Sequence, residues 1–119
     1  MATINPVGTW IAKGVHKVTW DAITASTDTI TAYAAGGRMP ERTVYVTGTW
    51  NSGVVGLAKS DNTATGPFIA MVDPQGNAIS FSAANDQEAL LENAQFIKPT
   101  VSSTTGATTV NVIMIERAP

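Results

Sequence analysis

Apolar positions along this chain recur every second residue in short bursts, and each burst ends in a cluster of turn-forming residues. Thr43–Trp50, Val54–Lys59 and Phe68–Val72 are broken by Asn51–Gly53, Ser60–Gly66 and Asp73–Asn77. β-Branched and aromatic side chains fit a pleated, half-buried surface, whereas Gly, Pro, Asn and Asp fit the reversals between strands. In Thr43–Trp50, Val44, Val46 and Trp50 share one face and Thr43, Tyr45, Thr47 and Thr49 the other, which assigns the first set to the core. Asn51-Ser52-Gly53 reads as a short hairpin loop into Val54–Lys59. Asp73-Pro74-Gln75-Gly76-Asn77 reads as a reverse turn into Ala78–Ser82, where Ile79 and Phe81 project together.

The flanks follow the same period. Val15–Trp20 sets Val15, Lys17 and Thr19 against His16, Val18 and Trp20, and Thr29–Ala34 is a second strand before the Gly36-Gly37 break. Gln95–Val101 and Thr108–Glu116 close the domain around the Ser/Thr/Gly loop Ser102–Ala107. Val110, Val112 and Met114 face one way, Ile113 and Ile115 the other; a last strand apolar on both faces is either central in its sheet or covered by a partner. Residues 1–14, with Asn5-Pro6, Gly8 and Gly14 around Val7, Trp10 and Ile11, read as an extended N-terminal arm. Such an arm folds over its own sheet in a monomer or reaches a neighbour in an oligomer.

Helix competes only over Asn85–Asn93, where Glu88, Ala89, Leu90, Leu91 and Glu92 are good helix formers behind Asn85 or Asp86 as a cap. A short helical turn or an irregular edge is expected there. About eight strands with turns every 8–12 residues make residues 15–119 a single all-β domain, an antiparallel β-sandwich of immunoglobulin-like or jelly-roll-like kind.

Composition narrows the class. Of 119 residues only 13% are charged, against about 25% in ordinary domains, and threonine, alanine and glycine fill the gap. A surface so poor in charge fits a protein that spends its life assembled. The seven Lys and Arg residues are scattered and the net charge is −2, so no basic patch for nucleic acid is expected. Cysteine is absent, which removes disulfides and thiolate metal sites; stability has to come from packing or from association. Met1–Lys13 has neither the basic start nor the apolar core of a signal peptide, and no run approaches the ~20 apolar residues of a membrane span. A soluble protein made in the cytoplasm, without membrane contact, is expected.

Candidate chemistry is sparse. His16 is the single histidine, with no nucleophile or orienting carboxylate recognisable beside it, so a partly exposed surface residue is expected. Asp86, Glu88 and Glu92 lie close in sequence, but on turns or short polar segments where solvation or capping accounts for them better than a glycosidase acid–base pair does. Ser60-Asp61-Asn62 lacks the regular ligand spacing of a calcium loop and reads as a turn. No catalytic residue, cofactor or metal is expected, and the chain does not read as an enzyme. Exposed tryptophans on a sandwich can stack on sugar rings. Trp20 and Trp50, however, end apolar faces as core or rim residues, and Trp10 in the arm suits packing against another subunit. Val7, Trp10, Ile11, Ile113 and Ile115 are therefore the candidate interface residues.

Over roughly Thr43–Arg117 the chain resembles small structural proteins encoded by tailed bacteriophages. The resemblance is carried by Val-Tyr-Val-Thr-Gly-Thr-Trp, Leu-Ala-Lys-Ser-Asp-Asn, Val-Asp-Pro-Gln-Gly-Asn-Ala-Ile-Ser-Phe, Leu-Glu-Asn-Ala-Gln-Phe-Ile-Lys-Pro-Thr-Val and the closing Thr-Thr-Val-Asn-Val-Ile-Met-Ile-Glu-Arg. It departs from them at Lys59-Ser60-Asp61-Asn62, where a Gly-Ser-Asn-Asp-Gly-type turn is common, at Phe68 in place of a following Trp, and at Lys98 in place of Arg. What the resemblance implies is a β-sandwich that trimerises on the outer capsid surface as a decoration, or cement, protein. Its partners would be the major capsid protein and its own copies; some similar proteins belong to the neck, tail or fibres. A carbohydrate-binding or host-adhesion module is the alternative.

Overall fold

In the computed structural model the alternating bursts become two antiparallel sheets packed face to face; the structure describes residues 2–24, 27–35, 39–50, 52–92, 94–102 and 108–118. Twelve strands are present among these residues: β1 (Thr3–Ile4), β2 (Val7–Ala12), β3 (Val15–Ile23), β4 (Thr29–Ile30), β5 (Tyr33–Ala34), β6 (Glu41–Thr49), β7 (Val54–Ser60), β8 (Ile69–Ala70), β9 (Ser80–Phe81), β10 (Asp86–Leu90), β11 (Phe96–Ser102) and β12 (Thr109–Arg117). The first sheet runs β10-β6-β12-β3-β2 and the second β5-β11-β7-β8, with β9 also on β7. The count exceeds the expected eight because five strands are only two residues long.

The core lies where the inner faces meet. Val18, Trp20, Ile23, Val44, Val46, Val110, Val112 and Met114 of the first sheet pack over Val55, Leu57, Phe81 and Ile97 of the second, with Met71 and Ile79 beside them. Alternation places these residues inward and their sequence neighbours outward, so Val44 and Val46 are buried as the period demands. Trp50 packs against the core from its rim and donates from Nε1 to the Thr47 carbonyl at 3.1 Å. The wholly buried Trp20 likewise satisfies its indole N–H on the Thr31 carbonyl at 2.9 Å. β12 is central in its sheet, between β6 and β3; its Val110, Val112 and Met114 enter the core, while Ile113 and Ile115 lie half-buried on the outer face.

Alternation alone would turn Ile23 outward, since Val18 and Trp20 already point in. A bulge corrects it: Val112 pairs with Trp20 and Val110 with Ile23, so two residues of β3 oppose Asn111 alone. Ala22 takes the left-handed conformation there (φ 58°), and the Asn111 side-chain carbonyl accepts its N–H at 2.9 Å. The shift returns Ile23 to the core.

Several expectations are corrected. Asn51–Gly53 does not close a hairpin: β6 and β7 belong to different sheets, and the connection carries the chain across the sandwich. Gly48 (φ 120°) begins that crossing, and a Cβ there would lie 2.0 Å from the Thr109 carbonyl oxygen. Thr29–Ala34 is not one strand. Its first half, β4, pairs in parallel with β1, and its second half, β5, joins β11. Residues 86–90 are not helical; they form the edge strand β10 along β6, because pairing supplies backbone partners that a two-turn helix would lack. The Asp73–Asn77 turn stands as expected, with Asp73 Oδ1 accepting the N–H groups of Gln75 and Asn77 at 2.9 Å each. Gly36-Gly37, Asn51 and the loop 103–107 lie outside the described residues.

The N-terminal segment read as an arm is extended and lies on its own domain. The Ala2 carbonyl accepts the Thr29 N–H and the Ile4 carbonyl accepts the Thr31 N–H, while β2 pairs antiparallel with β3 as the last strand of the first sheet.

Candidate interaction surface

Register places the residues of the first sheet in rows across all five strands. On the outer face one row reads Val7, Thr19, Ile113, Tyr45, Gln87 and the next Thr9, Lys17, Ile115, Thr43, Ala89. Only Lys17 carries a charge in these ten positions. Ile113 and Ile115 are half-buried among their neighbours, and these two rows are mostly Thr, Ile, Val and Tyr side chains, bordered by the exposed Glu41 and Arg117 one row further on. At its β10 side Tyr45, Thr47, Asn85, Asp86 and Gln87 line a shallow open depression.

The same sheet ends at β2, whose six residues Val-Gly-Thr-Trp-Ile-Ala are all exposed. Val7 is 62% exposed, Trp10 64% and Ile11 57%. Large apolar side chains are rarely left out in a row on a free strand edge, since such an edge invites pairing with another chain. The other edges of the two sheets differ. β10 carries Asp86 and Glu88 on its core-facing side, and β5 and β8 are two-residue strands.

On the inner face, at the rim of the core, one row reads Trp10, His16, Glu116, Arg42, Leu90. The Glu116 carboxylate is buried and shared. It accepts from Arg42 Nε at 3.0 Å on Oε1 and from Tyr33 OH at 2.9 Å on Oε2, where His16 Nδ1 also lies at 3.0 Å. Burial, then the hydrogen bond to and charge of Glu116, push the Tyr33 phenol up to about 12. Trp10 lies over the His16 ring at 4.7 Å between centroids. Gly8 makes room for that ring: a Cβ on Gly8 would come within 2.7 Å of His16 Nε2. The network seats the root of the edge strand on the sandwich. Among the described residues no group of three His, Cys, Asp or Glu side chains is gathered as a metal site.

Of the candidate interface residues, Val7, Ile113 and Ile115 share the outer face. Trp10 lies on the opposite side of β2, over His16, and Ile11 sits at a register shift between Trp10 and Ala12. His16 is half-buried beside a carboxylate one hundred residues away in the chain, a partner that sequence proximity hides. Tyr45 and Thr19 also belong to the surface. Their outward parity was legible, but the row that joins them to Val7 exists only through strand order.

The architecture and surface together define a β-sandwich with an exposed apolar edge strand beside a patch of Thr, Ile, Val and Tyr side chains. No protein-family model matches the chain, and no curated protein is significantly similar to it in sequence. Among solved structures it is similar to the SPBc2 prophage-derived protein YomS, with a TM-score of 0.59 and 18% identity over 90% of this chain and 99% of that one. A weaker likeness is to a protein of Bacillus endospore appendages described as a family of disulfide-linked pili, with a TM-score of 0.40 and 10% identity over 97% of this chain and 89% of that one. The first of these shows a shared fold.

Proposed function

We propose that this protein is a structural component of a tailed-phage particle, a decoration protein on the outer capsid surface that stabilises contacts between subunits of the major capsid protein. The observation that carries this reading is the uncharged, exposed edge strand β2, continuous with a patch of ten outer-face positions in which only Lys17 is charged. A clamp needs no reacting group; it needs a rigid fold and a surface whose desolvation costs little. Shells swell as they fill with DNA and strain the seams between capsomers, and a small rigid domain bridging a seam turns several weak contacts into one strong attachment. The sandwich shared with a prophage-derived protein and the resemblance over Thr43–Arg117 support the phage setting. A place in the neck or tail would use the same surface.

The test is binding of purified protein to expanded shells that lack it. Wild type should saturate the shells, and the pair Val7→Lys with Ile113→Lys should weaken binding about tenfold or more, the scale of a central interface anchor. Circular dichroism should show the variant still folded. Full occupancy by the variant removes this surface from the account, and wild type that binds no shell ends the capsid placement. One observation favours the glycan-binding alternative, the exposure of the Trp10 ring. That ring already rests on His16, which occupies a stacking position a sugar would need.

A further inference from the structure

None of residues 2–12 is buried, and only Ile4 and Pro6 are even half-buried. One backbone ladder, β2 on β3, holds the segment together with a clasp at β1. In the clasp Asp28 Oδ1 accepts the Ala2 N–H at 3.0 Å, and Thr31 Oγ1 donates to Asn5 Oδ1 at 2.8 Å. The carbonyls of Ala2 and Ile4 accept the N–H groups of Thr29 and Thr31 at 2.8 and 3.0 Å. Ile4 leans on the margin of the core, and Trp10 rests on His16. We propose that residues 2–12 are a strap that opens and recloses as one unit about Lys13-Gly14, while the rest of the sandwich stays folded.

Departure of the strap takes no buried side chain out of the core. Val18, Trp20 and Ile23 of β3 stay packed, and β3 keeps its ladder to β12. A segment with so few buried apolar contacts opens at a free energy well below that of global unfolding. The pivot is fixed. Gly14 has a φ of 77°, a left-handed turn that suits glycine, and its carbonyl accepts the Ala118 N–H at 2.9 Å. That bond pins the start of β3 and leaves the chain before Gly14 able to swing. Nor does opening strand a charge: when Trp10 lifts from His16, Glu116 keeps its bonds from Arg42 and Tyr33. The two strands move together because only Asn5-Pro6 joins them, and β1 pairs over two residues, too few to hold by itself. Opening bares the β3 edge and the His16 ring. It also withdraws Val7 and the β2 edge, which switches off the contact proposed with the capsid; this consequence alone rests on that reading.

Native-state hydrogen exchange of the isolated full chain tests the strap. The amides bonded between β2 and β3 and those of Thr29 and Thr31 should share one opening equilibrium with a shallow urea dependence, whereas β12 amides should show the steep dependence of global unfolding. Trp10→Ala should speed both strap sets by the same factor, about three- to tenfold, with an unchanged circular dichroism spectrum. A lock gives the converse. Thr9 faces Lys17 across the ladder, and such facing Cα atoms lie about 4.5–5.5 Å apart, inside the roughly 4.4–6.8 Å that a disulfide spans. The chain has no cysteine, so Thr9→Cys with Lys17→Cys can be compared oxidised and reduced. Oxidation should slow exchange at Thr29 and Thr31 about tenfold or more, although neither residue touches the new bond. A lock that slows β2 but leaves Thr29 and Thr31 unchanged overturns the single unit. Strap amides with the steep urea dependence of β12 overturn the opening itself. None of these outcomes depends on whether shells are bound.

Discussion

Tyr33 shows how much a single side chain owes to its setting. Its hydroxyl donates to the buried Glu116 carboxylate at 2.9 Å, and burial with that negative neighbour holds the phenol proton until about pH 12. In the unfolded chain the same group lets go near pH 10. Its folded pKa is raised, so its contribution to stability is complete below pH 10 and is lost as pH climbs toward 12. Tyr33→Phe should lower stability at neutral pH by about 1 kcal/mol, the net worth of an ordinary hydrogen bond. It should also flatten the decline of the urea midpoint between pH 10 and 12 relative to wild type. An unchanged slope would mean that Tyr33 takes no part in the alkaline loss. A second carboxylate, Glu92, shows opposing effects: burial pushes its pKa up, but hydrogen bonds from Lys59 and the Val72 N–H, with the Lys59 charge, bring it below the usual value.

At the scale of elements, the contrast between the two edges of the first sheet matters most. β10 has good helix formers in Glu88, Ala89 and Leu90, yet it lies flat on β6 because tertiary pairing outweighs a propensity worth tenths of a kcal/mol per residue. Its acids then blunt it, turning Asp86 and Glu88 toward the rim of the sandwich where an added strand would bury them. Replacing both with valine should make β10 an adhesive edge. Light scattering should then report assemblies that grow with concentration and that wild type does not form. A double variant with unchanged scattering would show that charge is not what keeps β10 free. Parity was readable along β3, β6 and β12: it assigned Val44 and Val46 to the core and grouped Val18 with Trp20, and Val110 with Val112 and Met114, on single faces, but which face of β3 and β12 is buried came from the packing. The bulge at Asn111 was not, because nothing local announces that Ala22 will take a left-handed conformation; a distant side chain holds it there.

For the molecule as a whole, Glu116 is the tie between layers. It sits on β12, receives Arg42 from β6, lies against His16 of β3, and is closed over by Tyr33 of β5 in the opposite sheet. Glu116→Ala should cost about 3–5 kcal/mol, since it strips the counter-charge from a buried guanidinium. That is a large part of the roughly 5–15 kcal/mol that holds a domain together. Glu116→Gln keeps the shape and should fall between. Equilibrium urea unfolding distinguishes them, and a loss under about 1 kcal/mol for the alanine variant would mean that the row is not a structural tie.

By itself the sequence determined the class: short alternating runs bounded by turn residues, few charges and no cysteine leave a packed antiparallel sandwich as the outcome, because period-2 patterning is a local property of the backbone. It also marked Val7, Trp10, Ile11, Ile113 and Ile115 as apolar beyond what a core requires. Only the tertiary structure decided that Val7 stands in one row with Ile113, that Trp10 rests on His16, that β6 and β7 part into different sheets, and that β2 ends the sheet unguarded. Strand order and sheet membership are set by contacts between residues far apart in the chain, whose energies depend on every layer fitting at once.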